Sequence, residues 1–258
     1  MAKNVAVDIG NSRISCGLFD DKQLVSTWHT PVDEPAEATR SLVSASQDNK
    51  ELTVAVSSVV PSAKEILLKE LTTEGISTFE ISHASATMIT DTYPTMGTDR
   101  VANAAGALKL YMNDADAALV IDFGTATTLT AVDKRGKFLG GLITLGLKKT
   151  LHSIHASLEQ LPKLSPSQVC DPRDLDVLAT NTEDAIVNGT VIGHIAMINS
   201  WIAGCRERLG GKLSIVATGG LCEYFSRCFT SIDYIDPALT LKGINLIALA
   251  AADREDQD

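Results

Sequence analysis

The stretch Leu119–Asp133, LVIDFGTATTLTAVD, decides the fold, because Val5–Asp20, VAVDIGNSRISCGLFD, has already used the same arrangement. Each is an apolar β-rich run, then Asp, one spacer, Gly, a small hydroxyl or amide residue, and a second β-rich run. Asp8 and Asp122 each close a run of the kind that forms a buried strand. Gly10-Asn11-Ser12 and Gly124-Thr125-Ala126-Thr127 then offer backbone N–H groups with little side-chain bulk. Such a turn can approach phosphate oxygens closely while its carboxylate holds a cation, directly or through water. One hairpin of this kind alone reads more simply as an Asx turn, with Asp bonded to amides ahead of Gly. Two in matching context favour a polyphosphate and its cation lying between them.

The surrounding pattern alternates strand triplets with helices. Residues 4–9 read as a buried strand and SCGLFDDKQLVSTWHT as two more, joined at an Asp-Asp turn. Residues 34–47 have helical spacing with Ala38, Leu42 and Ala45 on the apolar side. LTVAVSSVV is a strand, the helix from Pro61 ends near Gly75, STFEIS is a short strand, and polar loop sequence runs to Gly97. The helix from residue 98 is capped by Thr98 or Asp99, and its alanines keep it slim. Three strands follow through Gly146, then a helix over 147–161 bearing His152 and His155, and a loop through Pro162, Pro166 and Pro172. A long helix over 181–210 carries a change of packing near Gly189 or Gly193. KLSIVATGG is a strand ending in a glycine pair; CEYFSRCF, SIDYIDP and LTLKGINLIALAA complete the chain, with DREDQD as a solvated acidic end. The economical reading is α/β, two lobes facing each other across a central cleft, divided as residues 1–112 and 113–258.

The 258 residues, 45% hydrophobic but only 5% aromatic, leave the core to Val, Ile, Leu and Ala. A net charge of −10 opposes non-specific binding to nucleic acid or anionic lipid, so neither is an expected partner. Five cysteines without CxxC point to a reducing compartment. The first residues move directly into a strand, leaving no room for a signal peptide, and no apolar run approaches the roughly 20 residues of a membrane span. The expectation is a cytoplasmic protein. Histidines and cysteines lack zinc spacing, no GxSxG marks a nucleophile, and neither a Walker A loop nor GxGxxG is present.

Two further signals remain. Thr218-Gly219-Gly220 ends a strand ahead of a helix, where a flat or anionic ligand could come close; a simple helix-starting turn explains it nearly as well. In YPTMGTDR, residues 93–100, Gly97 leaves space beside Asp99 and Arg100 at a helix start. Asp99 can take a proton from a substrate hydroxyl and Arg100 can hold an anionic group. The plainer alternative is an N-capping Asp with a solvated Arg.

Taken together, DIGNSR, YPTMGTDR, DFGTATT with GKFLGGLITLG, NTEDAIVNG and VATGG resemble the type III pantothenate kinase family, in the family's order from Val5 to about Leu246; YPTMGTDR and TLTAVD are most like its cyanobacterial branch. The family belongs to the acetate/sugar kinase, Hsp70 and actin superfamily. The resemblance implies two ribonuclease H-like lobes, a homodimer, and ATP-dependent phosphorylation of pantothenate to 4'-phosphopantothenate, the first step of coenzyme A synthesis. It implies a first phosphate loop of Asp8, Ile9, Gly10, Asn11, Ser12, Arg13, Ile14 and Ser15, with Asp8 on the Mg²⁺–ATP complex. Asp99 would be the base; Gly97, Thr98, Asp99 and Arg100, with Tyr93 and Thr182, would bind pantothenate. Thr125, Gly219 and Gly220 would contact the nucleotide, and Asp122 a monovalent cation, K⁺ or NH₄⁺. Many relatives have Pro where this chain has Leu145, and a second Asp where it has Thr130. Alternatives in the same fold are a kinase for another hydroxyl substrate and a non-catalytic ATP-binding regulator.

Overall fold

In a computed structural model, residues 3–47, 52–164, 171 and 175–255 are described. Their strands form two five-stranded sheets with the same internal plan. In the first, β1 (Lys3–Ile9) pairs antiparallel with β2 (Arg13–Asp20), which pairs with β3 (Gln23–Pro31). On its other side β1 pairs parallel with β4 (Thr53–Ser58), and β4 with β5 (Ser77–Glu80), giving the order β3-β2-β1-β4-β5. In the second, β6 (Ala117–Phe123) takes the place of β1, β7 (Ala126–Asp133) and β8 (Phe138–Leu145) follow on one side, and β9 (Leu213–Thr218) and β10 (Tyr234–Ile235) lie on the other. The repeat seen in the sequence is a repeat of whole sheets.

Local chemistry sets the corners. Asp21 turns β2 into β3 in the left-handed region at φ 54°, a conformation Asp tolerates. Helix α1 (Pro35–Gln47) and helix α2 (Pro61–Thr73) are the crossovers to β4 and β5. Pro61 supplies a helical φ at the start of α2 without wasting an N–H. Gly75, at φ 71°, closes its end, and the Ile76 amide bonds the Leu71 carbonyl at 3.0 Å. Val5, Val7, Ile9, Ile14 and Cys16 pack against Ala38, Leu42, Ala63, Leu67 and Leu71, so α1 and α2 cover one face of the first sheet.

The other face takes α3 (Thr98–Leu110) and α7 (Leu239–Glu255). Asn4 Nδ2 donates to Asn245 Oδ1 at 3.4 Å, and Thr240 Oγ1 donates to Asn103 Oδ1 at 2.8 Å. Small residues bring the two helices together: a Cβ on Gly243 would overlap the Ala102 carbonyl, and one on Gly106 would lie 3.0 Å from the Leu239 carbonyl oxygen. In the second sheet Phe123 stacks on Phe225 of α6 (Cys222–Ser226) at 4.9 Å, and the ring of His194, from α5 (Thr182–Leu209), stacks on Phe225 at 5.1 Å. Helix α4 (Leu147–Ser157) packs on α5.

The compact units are Met1–Leu110 with Arg135–Leu139 and Ala238–Asp258, and Tyr111–Lys134 with Gly140–Pro237. The chain first passes between units after Leu110, and α7 and the tip of the β7–β8 hairpin return to the first unit. The hairpin tip is tied there by backbone bonds: Thr90 donates to Gly136 and Phe138 donates to Thr90, each at 2.9 Å.

Four local expectations change. Helix α4 ends at Ser157 rather than 161, because Leu158 leaves the helical region (φ −129°, ψ 91°). Helix α5 runs unbroken through Gly189 and Gly193. Helix α7 continues to Glu255, so Asp253 to Glu255 are helical, and Arg254 bonds the Thr87 hydroxyl and the Ser85 carbonyl. Neither Thr98 nor Asp99 caps α3: the Arg100 and Val101 amides bond the Gly97 carbonyl at 3.1 and 3.2 Å, which makes Gly97 the capping position. Pro166, Cys170 and Pro172 lie outside the described residues.

Candidate active site

In the first unit Asp8 stands one residue from the end of β1, level with Ser15 on β2 and Ser57 on β4. Ile9 and Ile14 are fully buried and hold the hairpin to the core, whereas Asn11, Ser12 and Arg13 are exposed. Any contact Ile9 and Ile14 make with a ligand would be through their backbone. Gly10 donates to the Arg13 carbonyl at 3.0 Å, and a Cβ there would meet only that carbonyl oxygen, at an ordinary 3.5 Å. The chain's own packing thus does not demand glycine at position 10.

Asp99 is on the first turn of α3. Its Oδ1 accepts the Arg100 amide at 2.7 Å, which orients the carboxylate. Burial pushes its pKa up; the Arg100 amide and the Arg100 charge pull the other way without cancelling it. A Cβ on Gly97 would fall on the Asp99 carboxylate, so a side chain there would displace the oxygen that the Arg100 amide orients. Thr98 is committed to the scaffold: its Oγ1 lies 2.9 Å from Ser57 Oγ, accepts the Ser58 amide at 3.1 Å and donates to the Ser58 carbonyl at 3.2 Å. It anchors α3 to the end of β4.

The Arg100 guanidinium, only 4% exposed, donates to the Tyr93 hydroxyl at 2.7 Å and lies 5.9 Å over the Phe138 ring. Phe138 and Tyr93 meet edge-on at 5.8 Å. Sequence reasoning missed Phe138 in this cluster; the aromatic directly after the Lys134–Lys137 turn was a signal, but only the Thr90 pairing brings it here. It also missed His83, whose Nε2 donates to the Met96 carbonyl at 3.0 Å while Nδ1 meets the Thr92 hydroxyl at 2.9 Å. With Met96 donating to the Tyr93 carbonyl at 2.9 Å, the His83 ring clamps the loop that carries Tyr93 to Gly97.

In the second unit Asp122 occupies on β6 the place Asp8 has on β1, level with Thr128 on β7 and Thr218 on β9. Its carboxylate fits against Gly124, where a Cβ would lie 3.2 Å from Oδ1, and against Gly219, where a Cβ would overlap it. The Leu221 amide bonds the Phe123 carbonyl at 3.2 Å, so the Gly219-Gly220 turn closes on the β6–β7 hairpin. The Thr125 carbonyl accepts the Gly146 amide at 3.0 Å, a tie kept although Leu145 precedes it. Thr130 is buried on the same face as Thr128. On the opposite face Thr127 Oγ1 lies 3.0 Å from His194 Nε2, whose pKa burial lowers. Thr182 is exposed at the start of α5, where Asn181 caps the helix by accepting the Asp184 amide at 2.9 Å.

Other chemistries fade. Burial pushes the Cys16 thiol up to about 12 and the Cys222 thiol up to about 11, so neither is a ready thiolate. Among the described residues no group of three or more His, Cys, Asp or Glu could hold a metal. A divalent ion would have to be held in the manner usual for Mg²⁺, by one or two carboxylates together with substrate phosphates; Asp8 is a carboxylate of the right type.

Two sheets of one plan, each with an Asp–Gly hairpin at its centre, define the fold of the actin, Hsp70 and sugar-kinase superfamily, and solved structures agree. A protein from Campylobacter jejuni described as a Baf family transcriptional activator superposes with a TM-score of 0.58 at 19% identity, covering 97% of this chain and 99% of that one. The Lmo2764 protein of Listeria monocytogenes, described as an N-acetylmannosamine kinase, gives 0.57 at 14% identity, covering 97% and 99%. At such identities the likeness is one of fold. The sequence is more specific: the family model for type III pantothenate kinase matches residues 4–204, and the type III pantothenate kinase of Syntrophobacter fumaroxidans is 30% identical over 255 residues, 94% of this chain and 96% of that protein. The chain belongs to the type III pantothenate kinase family.

Proposed function

We propose that the residues described above divide one reaction between them: ATP-dependent transfer of a phosphoryl group to the primary hydroxyl of pantothenate, giving 4'-phosphopantothenate for coenzyme A synthesis. The observation that carries the assignment of roles is the buried, oriented Asp99 beside the Arg100–Tyr93 pair. Asp99 accepts the hydroxyl proton as the bond to phosphorus forms, acting late, since a carboxylate is too weak a base to ionise an alcohol beforehand. Its raised pKa moves it towards the working pH. Arg100, held by Tyr93 and Phe138, takes the substrate carboxylate, a charge-assisted pairing that fixes the hydroxyl relative to Asp99. The Asp8–Ser15 turn presents backbone amides to the phosphates, and Asp8 holds the divalent ion. That ion, when bound, offsets phosphate charge. Asp122 holds the monovalent cation, Thr125 and the Gly219-Gly220 turn contact the nucleotide, and Thr182 reaches pantothenate.

Gly97→Ala tests the base without touching its chemistry. The added methyl must push the carboxylate aside, and a misplacement of about 1 Å costs on the order of 10²-fold in rate. The expected result is that loss in kcat with ATP affinity retained; an unchanged kcat would remove Asp99 from the reaction.

The working form is a homodimer built on α5. Its most apolar 18-residue window is only 28% buried, and by length and composition this helix could span a bilayer. Val187, Val191, His194, Ile198 and Ile202 face the core, while Gly189, Gly193 and Gly204 have nothing within 4 Å of a built Cβ. Glycine inside a helix costs roughly 0.5–1 kcal/mol each, and among the described residues nothing packs closely enough to require these three. They suit close approach of a second copy, which covers the apolar face in a soluble, cytoplasmic enzyme without nucleic acid or membrane partners. Gly193→Leu should therefore convert a species of twice the 27.4 kDa chain mass into monomer by light scattering, with the melting temperature of the isolated fold preserved. A dimer that survives the leucine places the interface elsewhere.

A further inference from the structure

Thr218, the last residue of β9, is fully buried, and its Oγ1 makes no hydrogen bond. Strand register sets it level with Asp122, so the two side chains stand on one face of the sheet, with Thr128 level on the other side. The first unit provides the comparison. There Ser57 is level with Asp8 in the same way, but its hydroxyl is met at 2.9 Å by Thr98 Oγ1 from the start of α3. In the second unit no described residue does the same for Thr218. A buried hydroxyl without a partner is costly and uncommon; it persists where a bound group completes it in the working protein.

The surroundings select that group. Asp122 brings a carboxylate and Thr128 a hydroxyl to the same face, an all-oxygen set of the kind hard cations choose. The neighbouring carboxylate would repel a bare phosphate oxygen and attract a cation. Glycines at 124 and 219 let the backbone pack close against the carboxylate, where a Cβ would crowd or overlap Oδ1. Thr30, also buried with an unbonded hydroxyl, is level with Ile14 on β2 rather than with a carboxylate, so it carries no such reading. We propose that Thr218 Oγ1 is a direct ligand, together with Asp122, of the monovalent cation. The proposal rests on the assignment of the cation to Asp122.

The test is thermal unfolding of the full chain without nucleotide, titrated with KCl against choline chloride at constant ionic strength. A cation that binds only the folded state raises the melting temperature. The parent should gain stability with K⁺, Thr218→Ser should keep the gain, and Thr218→Val should need roughly tenfold more K⁺, as expected when a contact to a charged group is lost. Asp122→Asn should abolish the gain. If Thr218→Val titrates like the parent while Asp122→Asn does not respond, the cation site stands and Thr218 is not part of it. If the parent itself shows no K⁺ response, the cation assignment and the Thr218 proposal fail together. Weakened ATP binding with an unchanged K⁺ midpoint in Thr218→Val would make the hydroxyl a phosphate contact and overturn the proposal. Should Thr218→Val be too unstable to titrate by melting, ²⁰⁵Tl⁺ line broadening on that variant and on Thr218→Ser reads the same binding directly. Weaker Tl⁺ binding in Thr218→Val alone supports the ligand role, and equal binding in both variants overturns it.

Discussion

Asp99→Asn lowers kcat by about 10²–10⁴-fold, the range for loss of a general base, while ATP affinity and the folded state are retained. The same variant is more stable than the parent at neutral pH. Burial raises the folded-state pKa of Asp99 above its unfolded value, so the ionised carboxylate disfavours folding at every pH above the folded pKa. That cost fades as pH falls through the folded pKa and is absent below the unfolded one. Asparagine never carries it. The gain in melting temperature should thus be present at pH 7 and shrink in acid. Activity of the parent should fall on the acid side with an apparent pKa above the ordinary Asp value, because only ionised Asp99 can accept a proton. An Asn variant that is less stable than the parent at pH 7 and keeps parental kcat would contradict both the burial argument and the catalytic role.

Gly219→Ala is the second large effect, and it acts on the scaffold of the cation hairpin. Gly219 sits at φ 87°, where an L-residue costs roughly 1–2 kcal/mol. A Cβ there would overlap the Asp122 carboxylate and lie 2.8 Å from the backbone N and C of Phe123, which cannot rotate away. Overpacking of this kind adds roughly 1–3 kcal/mol, so a loss of about 2–5 kcal/mol is expected, a large part of a typical stability. The melting temperature should fall by about 5–15 °C, and K⁺ should no longer raise it. A parent-like melt with parent-like K⁺ response would mean that the β6–β7 hairpin and the Gly219-Gly220 turn do not share this tight junction.

Much of the fold was legible because its signals are local. An apolar β-run followed by Asp-x-Gly reads as a strand and turn wherever it occurs, so both hairpins and the strand triplets could be placed from sequence. The full equivalence of the sheets could not, since it depends on Asp8 finding Ser57 and Asp122 finding Thr218 across parallel pairings far apart in the chain. The return of α7 to the first unit was hidden for the same reason: the fit of Gly243 to Ala102 and of Gly106 to Leu239 has no local pattern. At the site, Gly97, Asp99 and Arg100 are one short run, and the structure adds Tyr93 to them through a hydrogen bond. Phe138, His83 and His194 were passed over because each acts through partners from distant segments: the Thr90 pairing, the Thr92 and Met96 oxygens, and Thr127. Thr98 shows the reverse. Its place in the motif suggested a substrate contact, yet its hydroxyl is spent on Ser57 and Ser58.

The most direct test of the central claim is coupled ADP release by the purified full chain with Mg²⁺–ATP and K⁺, comparing pantothenate, a hexose and no added acceptor. ADP release that requires pantothenate, with one phosphopantothenate formed per ADP, is the predicted result. Turnover that is independent of pantothenate, or that a hexose supports equally well, would contradict it.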